Sequence, residues 1–184
     1  MAASDTTGSP NTPAPFWNVV LRYGGFCALG LIALSLFWYL LDVNVMALGN
    51  IVIQFVLLFA VTVSLSAIAI RSQRDELDGG YITFGRALLI GLLVTAIAVF
   101  LSSMWNYVLI NFIDPSYVDN LKEKFTATWG DNMPADAMDK ALEKFDQSGE
   151  LLTNLKNGVT GGLFIGIISG LISAGIMKRT PSIE

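Results

Sequence analysis

Apolar residues in this chain are gathered into four long runs instead of being spaced at the period of a soluble core. Gly24 to Leu41 carries no charge, and Val19 to Leu21 extend that run once Arg22 reaches an interface. Ala47 to Ile70 is broken only by Gln54 and small polar groups, Phe84 to Ile113 starts beside Arg86, and Val159 to Met177 consists mostly of Gly, Ile, Leu and Ser. About 20 apolar residues cross a hydrocarbon core of ~30 Å. The pattern therefore predicts an all-α polytopic membrane protein, a four-helix bundle with spans at about 19–41, 47–70, 84–113 and 159–177.

The polar punctuation between the runs sets the connectivity. Asp42 to Met46 is short enough only for a tight turn, so the first two spans form an antiparallel hairpin. Arg71 to Thr83 holds the breaker pair Gly79-Gly80 and reads as a short surface loop. Residues 114–158 differ: Val118, Leu121, Phe125 and Trp129, then Met138, Ala141, Leu142 and Phe145, recur at steps of three and four. They predict two amphipathic helices divided near Gly130 to Pro134, a helical insert between spans three and four. Its apolar face covers the ends of the spans, lies in a leaflet or meets a partner. Residues 1–15, rich in Ser, Thr, Pro and Ala with no basic residue, read as a disordered tail and not as a signal peptide. Residues 16–179 form a single transmembrane domain, and 180–184 a second tail.

Charge then orients the chain. Arg22, Arg71, Arg74, Arg86, Lys178 and Arg179 lie near span ends on one side, against Lys156 alone on the other. Weighted by proximity to the membrane, that asymmetry places both termini in the cytoplasm and the insert outside. Trp38, Tyr39, Trp105, Tyr107 and Phe112 then fall at the outer interface, and Phe16, Trp17 and Tyr81 at the inner one. The net charge of −4 is concentrated in the insert, where nine acidic residues face five lysines, and no basic patch suggests a nucleic-acid partner. Their spacing follows helix surfaces and lacks the glycine-centred loop of a calcium site.

Chemistry-bearing residues are sparse. The chain has no histidine and one cysteine, Cys27, which leaves no disulfide and removes the usual zinc and general-base groups. No catalytic, metal-ligating or cofactor-binding residue is expected, and an enzyme is the least favoured reading. Three other sets stand out. Gly162, Gly166, Gly170 and Ala174 repeat every four residues, with Ser169 and Ser173 alongside, a strip on which another helix packs closely, either from this chain or from a second subunit. Asn50, Gln54, Ser102, Ser103 and Asn106, with Ser64 and Ser66 nearby, are costly in hydrocarbon unless paired; they are candidates for an intramembrane polar site, Asn106 and Ser102 sharing a face of span three. Arg22 and Arg86 border apolar runs and are candidates for lipid headgroup contact by snorkelling.

Three local patterns stand in order: Gly79-Gly80-Tyr81-Ile82-Thr83-Phe84-Gly85-Arg86-Ala87, Ile113-Asp114-Pro115, and the stretch from Gly166 to Arg179. With the spacing of the spans and the acidic insert, they resemble the bacterial membrane-protein family called domain of unknown function 4199, over roughly Phe16 to Arg179. The resemblance implies four spans, a bacterial inner membrane and no known activity, and brings no site residues. The expected function is a non-enzymatic structural or interaction subunit acting through helix packing, with the bilayer, other membrane subunits or a second copy as partners. The alternative is a small oligomeric transporter or channel-like protein using the polar groups of spans two and three.

Overall fold

A computed structural model of the chain describes residues 15–179. The tails expected at 1–15 and 180–184 lie outside them, apart from Pro15. Six α-helices follow in order: α1 (Pro15–Leu40), α2 (Leu48–Ser72), α3 (Phe84–Val108), α4 (Tyr117–Trp129), α5 (Ala135–Gln147) and α6 (Leu151–Met177). α1, α2, α3 and α6 are each long and apolar enough to cross a membrane. The protein is a polytopic membrane protein with four spanning helices, and α4 and α5 form the amphipathic insert. Large side chains such as Leu29, Val56, Phe164 and Ile176 point outward. In a bilayer that is their favoured solvent, and the interior combines small and hydroxylated residues with a few large aliphatic ones such as Ile70, Ile90 and Val94.

Helix boundaries follow from local chemistry. Thr83 caps α3 by accepting the Arg86 N–H on its hydroxyl. α2 and α3 each end in a wider π-type turn, closed by Asp78 N–H to the Gln73 carbonyl and Asp114 N–H to the Leu109 carbonyl. After the first of these turns Gly79 and Gly80 adopt φ of +64° and +91°, left-handed backbone that a side chain disfavours. The Gly80 N–H then returns to the Arg74 carbonyl at 2.8 Å. The insert divides where its pattern predicts, a 3-10 turn at Gly130–Asn132 separating α4 from α5.

The last helix begins at Leu151, eight residues ahead of the apolar run that starts at Val159. Asn154, Lys156 and Asn157 end the hydropathy signal but not the helical backbone, so the last helix extends into the stretch read as insert. α1 likewise begins at Pro15, ahead of the predicted Val19. α3 and α6 make the most extensive helix contact, α1 packs along α3, and α2 touches α1, α3 and α6.

The end of the molecule where α1 begins and α6 ends is tied across the helices. The Arg74 guanidinium, 8% exposed as a residue, pairs with Asp75 at 2.7 Å and donates to the Met177 carbonyl at 3.3 Å. A cation there complements the negative end of the α6 dipole. Beside it Ile82 and Arg179 exchange backbone hydrogen bonds of 2.9 and 3.2 Å. The opposite end is held by the insert.

Candidate functional site

The glycine strip lies against α3 of the same chain. A methyl group at Gly166 would sit 2.9 Å from the Leu92 carbonyl oxygen, and one at Gly162 3.0 Å from that of Ala96. Gly170 meets Gly91 so closely that a methyl on Gly91 would be 2.8 Å from the Gly170 Cα. Gly158 continues the seam one turn further, facing Ser103 and Phe100, and Ala174 is fully buried at its other end. Backbones in this register gain dispersion contact and leave no room for lipid between them.

Alongside the seam runs a set of buried hydroxyls. Thr62 Oγ1 of α2 and Ser169 Oγ of α6 are 2.9 Å apart, and Ser66 Oγ of α2 lies 3.2 Å from Thr95 Oγ1 of α3. Ser66 also donates to the Gly91 carbonyl at 3.4 Å, and Ser173 to that of Val63 at 3.2 Å. Each hydroxyl thus finds a partner at hydrocarbon depth, where an unpaired one is expensive. Thr62 and Thr95 were not singled out from sequence. The signal was there: Thr62 and Ser66 share the four-residue step of Ser169 and Ser173, the same step as the glycines beside them. Ser64, by contrast, is exposed on the outer face of α2.

The five candidate polar residues are divided among three places. Asn50 donates to the Asn44 carbonyl at 2.9 Å and Gln54 to that of Val45 at 3.1 Å, so both brace the turn between α1 and α2. Ser103 faces Gly158 and donates to the Phe100 carbonyl at 2.7 Å. Asn106 reaches Asn154 on α6 at 3.5 Å, and Asn154 in turn holds the Ser148 and Glu150 carbonyls. Gln54 also donates to the Asn50 carbonyl at 3.3 Å and, with Ser102, lines a cavity of about 470 Å³ at the insert end of the spans. Asn106 and Ser102 share a face of α3 in projection, but α6 claims one and the cavity the other.

Arg22 is exposed, its guanidinium 5.6 Å from the centroid of the Tyr23 ring, and Arg86 forms an ion pair with Asp78 at 2.9 Å. Both remain at the surface where headgroups lie. Cys27 is buried.

The insert docks on the spans. Lys124 pairs with Asp42 at 2.5 Å, Asn44 donates to Thr128 at 3.1 Å, and the Trp129 indole N–H donates to the Met46 carbonyl at 3.1 Å. Asp42 holds a left-handed φ of +48°, uncommon for a residue with a side chain. α5 is joined to α4 by the Lys122–Asp146 ion pair and the Phe125–Phe145 rings, 5.4 Å between centroids. Asp114 anchors the start of the insert: its carboxylate accepts from the Ser116 hydroxyl and from Tyr39. The Ser116 hydrogen bond, above all, holds the Asp114 carboxyl below the usual carboxylate range. A depressed folded value stabilises the anchor above the ordinary carboxyl pKa, and the gain is lost as pH falls through the lowered one.

Replacement of Trp129 by Phe keeps an aromatic ring and removes the indole N–H that reaches the α1–α2 turn beside the Lys124–Asp42 pair. A net loss of about 0.5–1.5 kcal/mol is expected for that bond. Hydrogen exchange across residues 117–129 should therefore quicken several-fold, with the spans unaffected. Unchanged exchange there would mean that the insert is held by its other contacts alone.

A model of the family described as Protein of unknown function (DUF4199) matches residues 22–179. The chain belongs to this family. The match begins within α1 and closes on Arg179, so seam, cavity and insert all lie inside the DUF4199 region. No curated protein and no solved structure matches the chain.

Proposed function

We propose that the protein is a non-enzymatic structural or interaction subunit of the bacterial cytoplasmic membrane. The observation that carries this reading is the α3–α6 seam, in which backbone meets backbone along four turns and the neighbouring hydroxyls are spent on one another. Helix packing makes the spans a firm platform, and the platform displays an acidic two-helix cap. The charged groups of the cap and of the span ends support the same reading. Asp42, Asp75, Asp78 and Asp146 are each engaged by a lysine or arginine, and Asp114 by hydroxyls, an arrangement that holds structure instead of poising an acid or base.

The six basic residues at the terminus end of the spans support cytoplasmic termini and an external cap. Because α3 of the same chain covers the glycine strip, contact with another subunit falls to the cap or to the lipid-facing surfaces. Extraction in mild detergent followed by mass measurement of the intact particle tests the reading. A homo-oligomer, or a complex of fixed stoichiometry, is expected. A strictly monomeric particle with nothing bound in stoichiometric amount would count decisively against it.

A second reading, a small oligomeric transporter, has one observation in its favour: Gln54 of span two and Ser102 of span three line the same cavity. The other three candidates, Asn50, Ser103 and Asn106, are engaged elsewhere.

A further inference from the structure

α2 is held along only part of its length. Its buried residues, Thr62, Ser66, Ala69, Ile70 and Ser72, all belong to the half that ends at Ser72. Close contact with α1 extends as far as Gly30, where a methyl would lie 3.2 Å from a Val61 methyl. Beyond that point no α2 residue is buried, and a cavity opens between the helix and α3. The space left is the cavity of about 470 Å³, bounded by α1, α2 and α3 and roofed by Tyr117 and Leu121 of α4. That volume falls among those of small-molecule sites, about 300–1,000 Å³. Leu31, Leu34, Phe55, Leu58 and Val99 make its walls apolar, and Phe55 is 54% exposed, so the enclosure is incomplete on the lipid side.

A second, smaller space of about 70 Å³ lies directly beyond the roof. The two share Trp38, Val45, Tyr117 and Leu121 in their walls, so one partition separates them. The smaller is the more polar of the two, with Tyr39, Asp42, Asp114, Asn120 and Lys124 around it. Trp38, in the partition, has its indole N–H buried with no hydrogen-bond partner. A buried donor left unpaired is costly and calls for an acceptor.

From this juxtaposition, an apolar cavity at hydrocarbon depth, a small polar one at headgroup depth and an unpaired donor between them, we infer a binding site for a neutral amphiphile of the bilayer. Its single hydrocarbon chain fills the larger space, entering sideways past Phe55. Its ester or hydroxyl oxygen accepts from Trp38 once the indole, whose N–H is closed off from both spaces, turns toward it. The polar pocket holds two carboxylates against one lysine, an excess of negative charge that disfavours a phosphate and suits an uncharged head. Gln54, Ser35 and Ser102 add polar groups along the cavity that a fully saturated environment would not need. This inference stands whether or not the protein is a subunit of a larger assembly.

Native mass spectrometry of the detergent-solubilised protein, titrated with monooleoylglycerol and separately with phosphatidylglycerol, tests it. A saturable one-to-one adduct with monooleoylglycerol is expected, with phosphatidylglycerol binding more weakly. Ser102→Phe fills the cavity and should abolish the adduct; Ser35→Phe, from the α1 wall, should do the same should the first variant fold poorly. Val52→Phe, on the exposed side of α2 at the same depth, should bind as the parent does. Trp38→Phe keeps the wall, removes the donor and should weaken binding several-fold. Adducts that survive both cavity-filling variants would assign the lipid to the outer surface and overturn the site. Preference for phosphatidylglycerol would overturn the neutral head.

Discussion

Gly166→Val should separate α3 from α6 and lower the melting temperature of the purified protein well below that of the parent. The first carbon of the new side chain would fall 2.9 Å from the Leu92 carbonyl oxygen, and that neighbour is backbone, which cannot rotate away. Relief requires the two helices to move apart along the whole seam, which also stretches the Thr62–Ser169 and Ser66–Thr95 contacts beside it. Overpacking of a tight interior costs about 1–3 kcal/mol and sometimes more, and here hydroxyls would lose partners in addition. Gly175→Val supplies the control, since a methyl at that position meets nothing within 4 Å. It lies on the same helix and in the same bilayer, so the pair separates close packing from helix propensity. Equal melting of the two variants in detergent, by tryptophan fluorescence or circular dichroism, would show that the seam is not what holds the spans together.

The spans were legible because a membrane crossing needs an unbroken apolar run, and Gly24 to Leu41 or Ala47 to Ile70 supplies one without any help from tertiary contacts. Helix ends were less legible, because hydropathy reports depth in the bilayer and not backbone conformation: α6 passes through Asn154 and Lys156 with its hydrogen bonds intact. The spacing of Gly162, Gly166 and Gly170 announced a close contact, but a strip of small residues does not encode whose helix lies on it. Only the register with Leu88, Leu92 and Ala96 supplies that.

The polar candidates show the same limit from another side. Ser102 and Ser103 are neighbours in sequence, yet adjacent positions on a helix point about 100° apart, so one faces the cavity and the other Gly158. The cavity itself left no mark in the sequence. It arises because α2 is fastened to its neighbours at Thr62 and Ser66 and not at Phe55, and that depends on which residues of three separate helices meet.

Asn154→Leu should be nearly as damaging as the glycine variant, through a different cause. Asn154 is 4% exposed and its amide nitrogen donates to two carbonyls, Ser148 at 2.6 Å and Glu150 at 2.9 Å, which folds the α5–α6 turn onto the first turn of α6. Its oxygen faces the Asn106 amide across the α3–α6 interface. Leucine has similar bulk and removes all three contacts; the Glu150 carbonyl keeps the Asn154 backbone N–H, but the Ser148 carbonyl and the Asn106 amide each lose this partner, at about 1–3 kcal/mol for a group that water cannot reach. Asn106→Leu, by comparison, gives up only the 3.5 Å contact and should melt closer to the parent. The comparison bears on function as well as stability. An Asn106 that carried solute would be exchangeable for leucine without structural loss only at the cost of flux, whereas an Asn106 that serves Asn154 registers in the melting curve. A large loss for Asn154→Leu with a small one for Asn106→Leu is the expected order, and the reverse order would move the polar link from α6 to α3.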